Sequence, residues 1–310
     1  MKKETLAGYT LMIIYVIITA LSLITVNTYE KTIPTGNIAL YSFSICALFF
    51  NILNIKNTKS AYKKIFDGGY TFINLNLITF AVWACTLFGL NNIEPVLFVM
   101  LYMATMPLTS CLINYLCSEK KMELGLKILL LSFILCLLCV LVKKQVPEAA
   151  SHFKVIQGVV LAILAGAMSS IYIHYTRRLQ ITKKLTTIDF LSYRFYLTII
   201  FSIFVLFYSH AHIFVELTYW YKFIIIALLT VIMPLFCLQK AISFLPPTKI
   251  TYFMPMTPLA TYALQSMYSG YSINLEVFFS ALSFSVLMIL LSLYEQEKKI
   301  TFTLPWKKIV

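Results

Sequence analysis

The sequence predicts an all-α integral membrane protein with ten transmembrane helices, arranged as two inverted five-helix repeats. Three observations favour this class: the 310 residues are 60% hydrophobic, only 12% are charged, and the apolar residues form runs of membrane-spanning length. A soluble domain usually carries about 25% charged residues, whereas about 20 consecutive apolar residues cross the hydrocarbon core of a bilayer. Ten such runs leave only short connections, so no sizeable soluble domain is expected.

The ten expected spans are apolar runs separated by charged or turn-rich breaks. They lie near 6–26, 36–54, 71–89, 96–116, 125–142, 155–175, 190–208, 220–239, 249–268 and 276–293. The first five form a repeat over 1–150, the next five form a second repeat over 151–295, and 296–310 is a cytoplasmic tail. Around 91–95, two helices joined by a tight turn fit better than one helix far longer than a bilayer.

The basic residues predict the orientation of the chain, which has a formal net charge of +13. With a cytoplasmic N-terminus, 19 of the 25 lysines and arginines fall in cytoplasmic segments, 5 on the opposite side, and Arg194 inside a span. The positive-inside rule therefore places both termini in the cytoplasm, with the spans in the cell membrane. Because the basic residues form short clusters between apolar runs, they do not indicate nucleic-acid binding.

An internal repeat appears at an offset of 151 residues, which maps Pro95 onto Pro246 and Pro107 onto Pro258. The third and fourth spans thereby align with the eighth and ninth. Since each repeat contains an odd number of helices, the second must enter the membrane from the opposite face. Inverted repeats of this kind let two halves rock around a central site, as in many secondary transporters.

The same segments resemble a known family. The stretch TLFGLNNIEP at 86–95, followed by MPL at 106–108 and EKK at 119–121, is similar to the drug/metabolite transporter superfamily of EamA type. The second copy, LQKAISFLPP at 238–247 and PMTPL at 255–259, is similar too. The resemblance implies a ten-helix carrier of small metabolites. A Gly-Glu pair common in that family is Ser118-Glu119 in the first half and Gly270-Tyr271 in the second. The resemblance does not give the substrate, because members of the family resemble carriers of amino acids, drugs, nucleotide derivatives and S-adenosylmethionine.

The expected function is therefore secondary transport of a small organic metabolite by alternating access. Amino acids, nucleoside-like compounds and S-adenosylmethionine-like solutes are the candidates, and a membrane scaffold, receptor or passive channel without carrier activity is the alternative. The sequence contains no signature of an enzyme, so we expect no catalytic residue, no cofactor and no metal. The expected partners are the small-molecule solute and membrane lipids, with no nucleic acid; a homodimer is left open.

Candidate solute contacts lie near prolines inside the spans, because each such proline leaves a backbone carbonyl without its helical donor. Aromatic and hydroxyl side chains at these depths can stack on a solute and hydrogen-bond to it. All twelve acidic residues fall in loops, tails or helix ends, so a proton relay through a buried carboxylate is not expected. The candidates near the prolines or one helix away are Trp83, Tyr102, Thr105, Tyr252 and Thr257.

Arg194 is the sixth candidate, as the one basic residue within a span. Two orientations of its side chain are open. It either extends back to the membrane interface, or it faces inward and binds a carboxylate or phosphate of the solute.

Overall fold

Every regular element that a computed structural model describes in this chain is a helix. The described residues are 2–30, 32–66, 70–117, 152–210, 212, 215–267 and 274–297, together with scattered positions between 127 and 138. The predicted fifth span, at 125–142, therefore lies mostly outside the described residues. The same holds for the EKK motif at 119–121, for Gly270-Tyr271 and for nearly all of the predicted tail.

Thirteen α-helices can be followed through the described residues. They are α1 (Lys2–Glu30), α2 (Thr35–Leu53), α3 (Thr58–Phe66), α4 (Tyr70–Leu90), α5 (Pro95–Cys117), α6 (His152–Thr182), α7 (Thr187–Tyr193), α8 (Tyr196–Tyr208), α9 (Trp220–Ile226), α10 (Met233–Phe244), α11 (Pro247–Phe253), α12 (Thr257–Gln265) and α13 (Leu275–Glu297). A π-helical segment at Ala227–Ile232 joins α9 to α10, and a 3-10 turn at Met254–Met256 joins α11 to α12.

Seven helical segments in the described part are long and apolar enough to cross a membrane. They are Glu4–Glu30, Thr35–Leu53, Tyr70–Leu90, Pro95–Leu116, His152–Thr182, Thr187–Tyr208 and Trp220–Phe244, and a shorter apolar helix spans Leu275–Leu290. These segments correspond to the predicted first, second, third, fourth, sixth, seventh and eighth spans, and the shorter helix to the tenth. A multi-pass helical membrane protein is thus confirmed.

The seventh span begins earlier than the apolar pattern predicts, at Thr187 rather than near residue 190. The reason is a capping box: the Thr186 hydroxyl accepts from the Asp189 backbone N–H, and the Asp189 carboxylate accepts from the Thr186 backbone N–H. This exchange satisfies amide groups that a helix start leaves without partners. Asp189 is thus a buried cap residue, 4% exposed.

The same span is interrupted at Arg194 and Phe195, which the sequence did not predict. Asn76 of α4 lies across the interruption. Its amide nitrogen donates to the Tyr193 carbonyl over 2.8 Å, and its oxygen accepts from the Leu197 backbone N–H over 3.3 Å. Backbone groups that leave a helix at membrane depth need such partners, so one side chain on a neighbouring helix stabilises the break.

The ninth predicted span is also two helices, α11 and α12, separated by the 3-10 turn. Pro255 lies in that turn and Pro258 near the start of α12, and both lack the N–H that a continuous helix would use. Pro107, by contrast, lies inside α5, which stays one helix. The two prolines that the repeat aligns therefore have different effects on their helices.

α1 and α6 occupy the centre of the helix packing. α1 packs against α10 and α12, while α6 packs against α4 and α5, and α2 lies beside α8. Close approach of α5 and α6 depends on Gly166, where a Cβ atom would overlap the Tyr102 carbonyl oxygen and lie 2.8 Å from Thr105 Cβ. Small residues at such positions let helix backbones approach within a membrane.

Candidate solute-binding cavity

A cavity lies between α1, α4, α5, α6 and α10. The space available to the centres of water-sized spheres is about 70 Å³, which is room for several water molecules or part of a small solute. Most lining side chains are apolar or aromatic, and a few are hydroxyl-bearing. They are Tyr15, Thr19, Ser22, Leu23, Val26, Val82, Trp83, Thr86, Leu87, Leu90, Tyr102, Met106, Ser169, Tyr172, Ile173, Arg194, Thr230, Pro234, Leu235, Leu238 and Met254.

Three of the six sequence-predicted contacts line this cavity: Trp83, Tyr102 and Arg194. The indole ring of Trp83 packs edge-on against Phe43, with ring centroids 4.9 Å apart. The hydroxyl groups of Tyr102 and Ser169 share a hydrogen bond of 2.6 Å that joins α5 to α6. The cavity therefore brings together an indole, a phenol and a guanidinium group from three different helical segments.

The other three predicted contacts, Thr105, Tyr252 and Thr257, are buried outside the cavity lining. The two threonine hydroxyls each donate to a backbone carbonyl of their own helical turn, over 2.8 Å for Thr105 and 2.7 Å for Thr257. The Tyr252 hydroxyl lies 3.1 Å from Cys111 Sγ. In this conformation the two threonine hydroxyls bond locally and the Tyr252 hydroxyl contacts α5. Solute contact by these three residues stays a prediction.

Arg194 faces inward. Its side chain is 2% exposed, so it does not extend to the membrane interface. Its Nη1 donates to the Tyr172 hydroxyl over 2.7 Å, and its guanidinium carbon lies 4.1 Å from the centroid of the same ring and 5.2 Å from that of Phe195. Cation–π contacts and a charge-assisted hydrogen bond offset part of the cost of burying the charge.

Tyr172 connects Arg194 to α10 through a second hydrogen bond. Its hydroxyl donates to Gln239 Oε1 over 2.6 Å, and Gln239 is fully buried. Arg194, Tyr172 and Gln239 thus form a chain from the break between α7 and α8, through α6, to α10. Because each link restrains the rotamer of the next, the network holds the guanidinium in one orientation.

Four buried polar atoms on cavity-lining residues have no hydrogen-bond partner among the described residues: Thr19 Oγ1, Trp83 Nε1, Arg194 Nε and Thr230 Oγ1. Buried polar atoms in folded proteins are nearly always hydrogen-bonded to protein or water. A mostly apolar wall that includes a few polar side chains is typical of a cavity that orients a ligand.

Tyr15 and Thr19 on α1, and Ser169 and Tyr172 on α6, line the cavity although they were not predicted from the sequence. Tyrosine is frequent in this chain, with 20 copies, so an individual tyrosine gave no signal. The repeat did provide a signal for these helices. The offset of 151 residues aligns the first span with the sixth, which predicts that both spans occupy equivalent central positions.

The charge of the cavity is positive in the part that the structure describes. Arg194 is the one charged side chain among the lining residues, which include neither Asp nor Glu. The described groups that interact electrostatically with Arg194 are Tyr15, Cys46, Tyr102 and Tyr172, and none of these is a carboxylate. The site therefore favours an anionic group.

Comparison with known proteins agrees with this architecture. Residues 156–294 match the EamA-like transporter family. A solved structure titled only "Crystal structure of protein" is 12% identical in sequence to this chain. The match covers 94% of this chain and 97% of that one, and its TM-score of 0.66 shows a shared fold. A search of curated proteins found no match.

The fold defines a multi-pass helical membrane protein. The family match confirms the resemblance read from the sequence: the chain contains an EamA-like transporter region, of the drug/metabolite transporter superfamily. That family is one of transporters, not of enzymes.

Proposed function

We propose that this protein is a secondary transporter that moves a small organic solute across the cell membrane by alternating access. The observation that carries the proposal is the position of the cavity. Its wall is built by α1, α4 and α5 from the first half of the chain and by α6 and α10 from the second half. A site between two halves can open to either side when the halves move against each other.

Equivalent helix bounds support the proposed repeats over 1–150 and 151–295. Adding 151 to the bounds of α1, α2 and α4 gives 153–181, 186–204 and 221–241. The corresponding observed segments are His152–Thr182, Thr187–Tyr208 and Trp220–Phe244. The family match, at 156–294, covers the second of these proposed repeats and little else.

The pattern of helix packing supports an inverted relation between the halves. Under the same offset, α1 corresponds to α6, α4 to α9 and α10, and α5 to α11 and α12. α1 packs on α10 and α12, and α6 packs on α4 and α5, so exchanging the halves reproduces both sets of contacts. A two-fold axis gives this reciprocity, and a fifth span at 125–142 would complete the first half to five spans and the chain to ten.

Vesicles that contain the purified protein test the proposal. A carrier gives saturable uptake, and solute loaded inside accelerates uptake of labelled solute from outside. A passive channel gives uptake without this acceleration, and a scaffold or receptor gives none. Amino acids, nucleoside-like compounds, S-adenosylmethionine-like solutes and organic acids form the screening set, with protein-free vesicles as the control.

A further inference from the structure

We propose, resting on the transporter function above, that the solute is an organic monocarboxylate with an apolar body, held through its carboxylate by Arg194. A buried cation without a counter-ion is costly, and Arg194 is 2% exposed with no carboxylate among its described interaction partners. A carboxylate that arrives with the solute supplies the missing charge.

The geometry of the guanidinium group also suits a carboxylate. Tyr172 occupies Nη1, while Nε has no partner among the described residues. A guanidinium presents its donors in a planar fork that matches the two oxygens of a carboxylate. With one nitrogen anchored by Tyr172, the fork is held still, so little side-chain entropy is lost when the carboxylate binds.

The remaining wall recognises an apolar body. Leu87, Leu235, Leu238 and Met254 contribute aliphatic surface, and Trp83 contributes an aromatic face. Most of the hydroxyl groups already have partners: Thr86 donates to a backbone carbonyl over 2.8 Å, for example. A solute with polar groups along its whole length would leave them without partners in this cavity, which costs binding free energy.

Solutes with other charges fit this cavity less well. An α-ammonium group of an amino acid, or the cationic centre of an S-adenosylmethionine-like solute, would meet Arg194 with no acidic side chain in the described lining to balance it. A phosphate carries close to two charges and three strong acceptor oxygens, against one cation here. A single carboxylate is the anion that one arginine balances.

Three compounds with the same phenylethyl skeleton test the inference: hydrocinnamate, which is a monocarboxylate, phenylalanine, which is a zwitterion, and phenethylamine, which is a cation. Phenyl phosphate is the fourth compound and represents a solute with a phosphate group. Equilibrium binding of each compound to the detergent-purified protein is measured. Hydrocinnamate should bind at least about tenfold more tightly than the other three, as expected from one charge-assisted hydrogen bond. Equal or stronger binding of any of the other three overturns the inference, and so does an absence of hydrocinnamate binding.

Substitutions of Arg194 test whether its guanidinium group binds the carboxylate. Arg194→Gln should weaken hydrocinnamate binding at least about tenfold, while Arg194→Lys, which keeps the charge but loses the fork, should retain part of the affinity. The matched control is Arg178→Gln, because Arg178 lies on α6 outside the cavity lining. Equal losses in Arg194→Gln and Arg178→Gln contradict the site.

The experiments distinguish a failure of the proposed transporter function from a failure of the proposed monocarboxylate class. If the vesicle screen finds saturable counterflow of an amino acid or a cation but not of hydrocinnamate, the transporter function stands and the monocarboxylate class is wrong. If hydrocinnamate binds in an Arg194-dependent manner but is never carried across the vesicle membrane, the site stands and the transporter function is wrong.

Discussion

Arg194 and Tyr172 contact each other in two ways at once: Nη1 donates to the Tyr172 hydroxyl over 2.7 Å, and the guanidinium carbon lies 4.1 Å from the centroid of the same ring. The hydroxyl group in turn donates to Gln239. A single phenol therefore holds the one charged side chain of the described cavity lining and ties it to α10.

Removal of this hydroxyl group by Tyr172→Phe should weaken the fold while keeping the ring. The hydrogen bonds to a charged donor and to a buried amide are both lost, so we expect a decrease of about 1–3 kcal/mol in the free energy of unfolding. Thermal unfolding of the purified protein measures it. Tyr221→Phe is the control, because Tyr221 is 57% exposed. Equal stability of the two variants would show that the network contributes nothing.

The break at Arg194 should depend on Asn76. Replacement of Asn76 by Leu, which has a similar volume, leaves the Tyr193 carbonyl and the Leu197 N–H without their side-chain partner. Each unsatisfied buried group costs about 1–3 kcal/mol, so the variant should unfold at a clearly lower temperature than Asn57→Leu, which alters an exposed asparagine. A wild-type unfolding temperature for Asn76→Leu would mean that the break is stable without it.

Arg194 and Asn76 show which parts of the fold could be predicted from the sequence and which could not. The hydropathy of the chain predicted the helices because membrane spans need about 20 apolar residues regardless of context. The interruption at Arg194 has no comparable local signal, because Asn76, which bonds on both sides of it, lies more than one hundred residues earlier in the chain. Only the packing of α4 against the break reveals it.

Gly166 and Gly158 provide a matched pair on α6. A Cβ atom at Gly166 would overlap the backbone carbonyl oxygen of Tyr102, whereas at Gly158 it would lie 2.9 Å from Cγ2 of Ile93, a side-chain atom that can move. Alanine favours a helix over glycine by about 1 kcal/mol. We therefore expect Gly166→Ala to destabilise the protein and Gly158→Ala to be much milder. Unfolding temperatures compare them, and the reverse order would exclude close packing of α5 on α6 at Gly166.

The candidate site was predictable in part, for chemical reasons. Arg194 was recognisable because a charge inside an apolar span is rare and costly. Tyr102 was recognisable because it lies near a proline inside a span, and Trp83 because it lies one helix away. Tyr172 was not, since its importance comes from the guanidinium group that it contacts. Thr105 and Thr257 were chosen for their depth, but their hydroxyls donate to local backbone carbonyls in this conformation.

Orientation in the membrane can be tested with reporter fusions. The charge pattern predicts a cytoplasmic signal for fusions after Lys64, Lys184 and Val310, and an external signal for a fusion after Asn92. The physical reason is that lysine-rich loops are retained on the cytoplasmic side. An external signal after Val310 would contradict either the even number of spans or the proposed orientation.

The central claim, that the two halves move against each other around the cavity, is tested most directly by locking them together. Asn51 of α2 and Ser192 of α7 lie in different halves, and Asn51 Nδ2 donates to the Ser192 carbonyl over 3.1 Å. Asn51→Cys and Ser192→Cys are combined in a background without the native cysteines, and counterflow is measured before and after oxidation. Alternating access predicts that the disulfide stops counterflow, that reduction restores it, and that neither single variant responds. Full counterflow with the disulfide formed would contradict the claim.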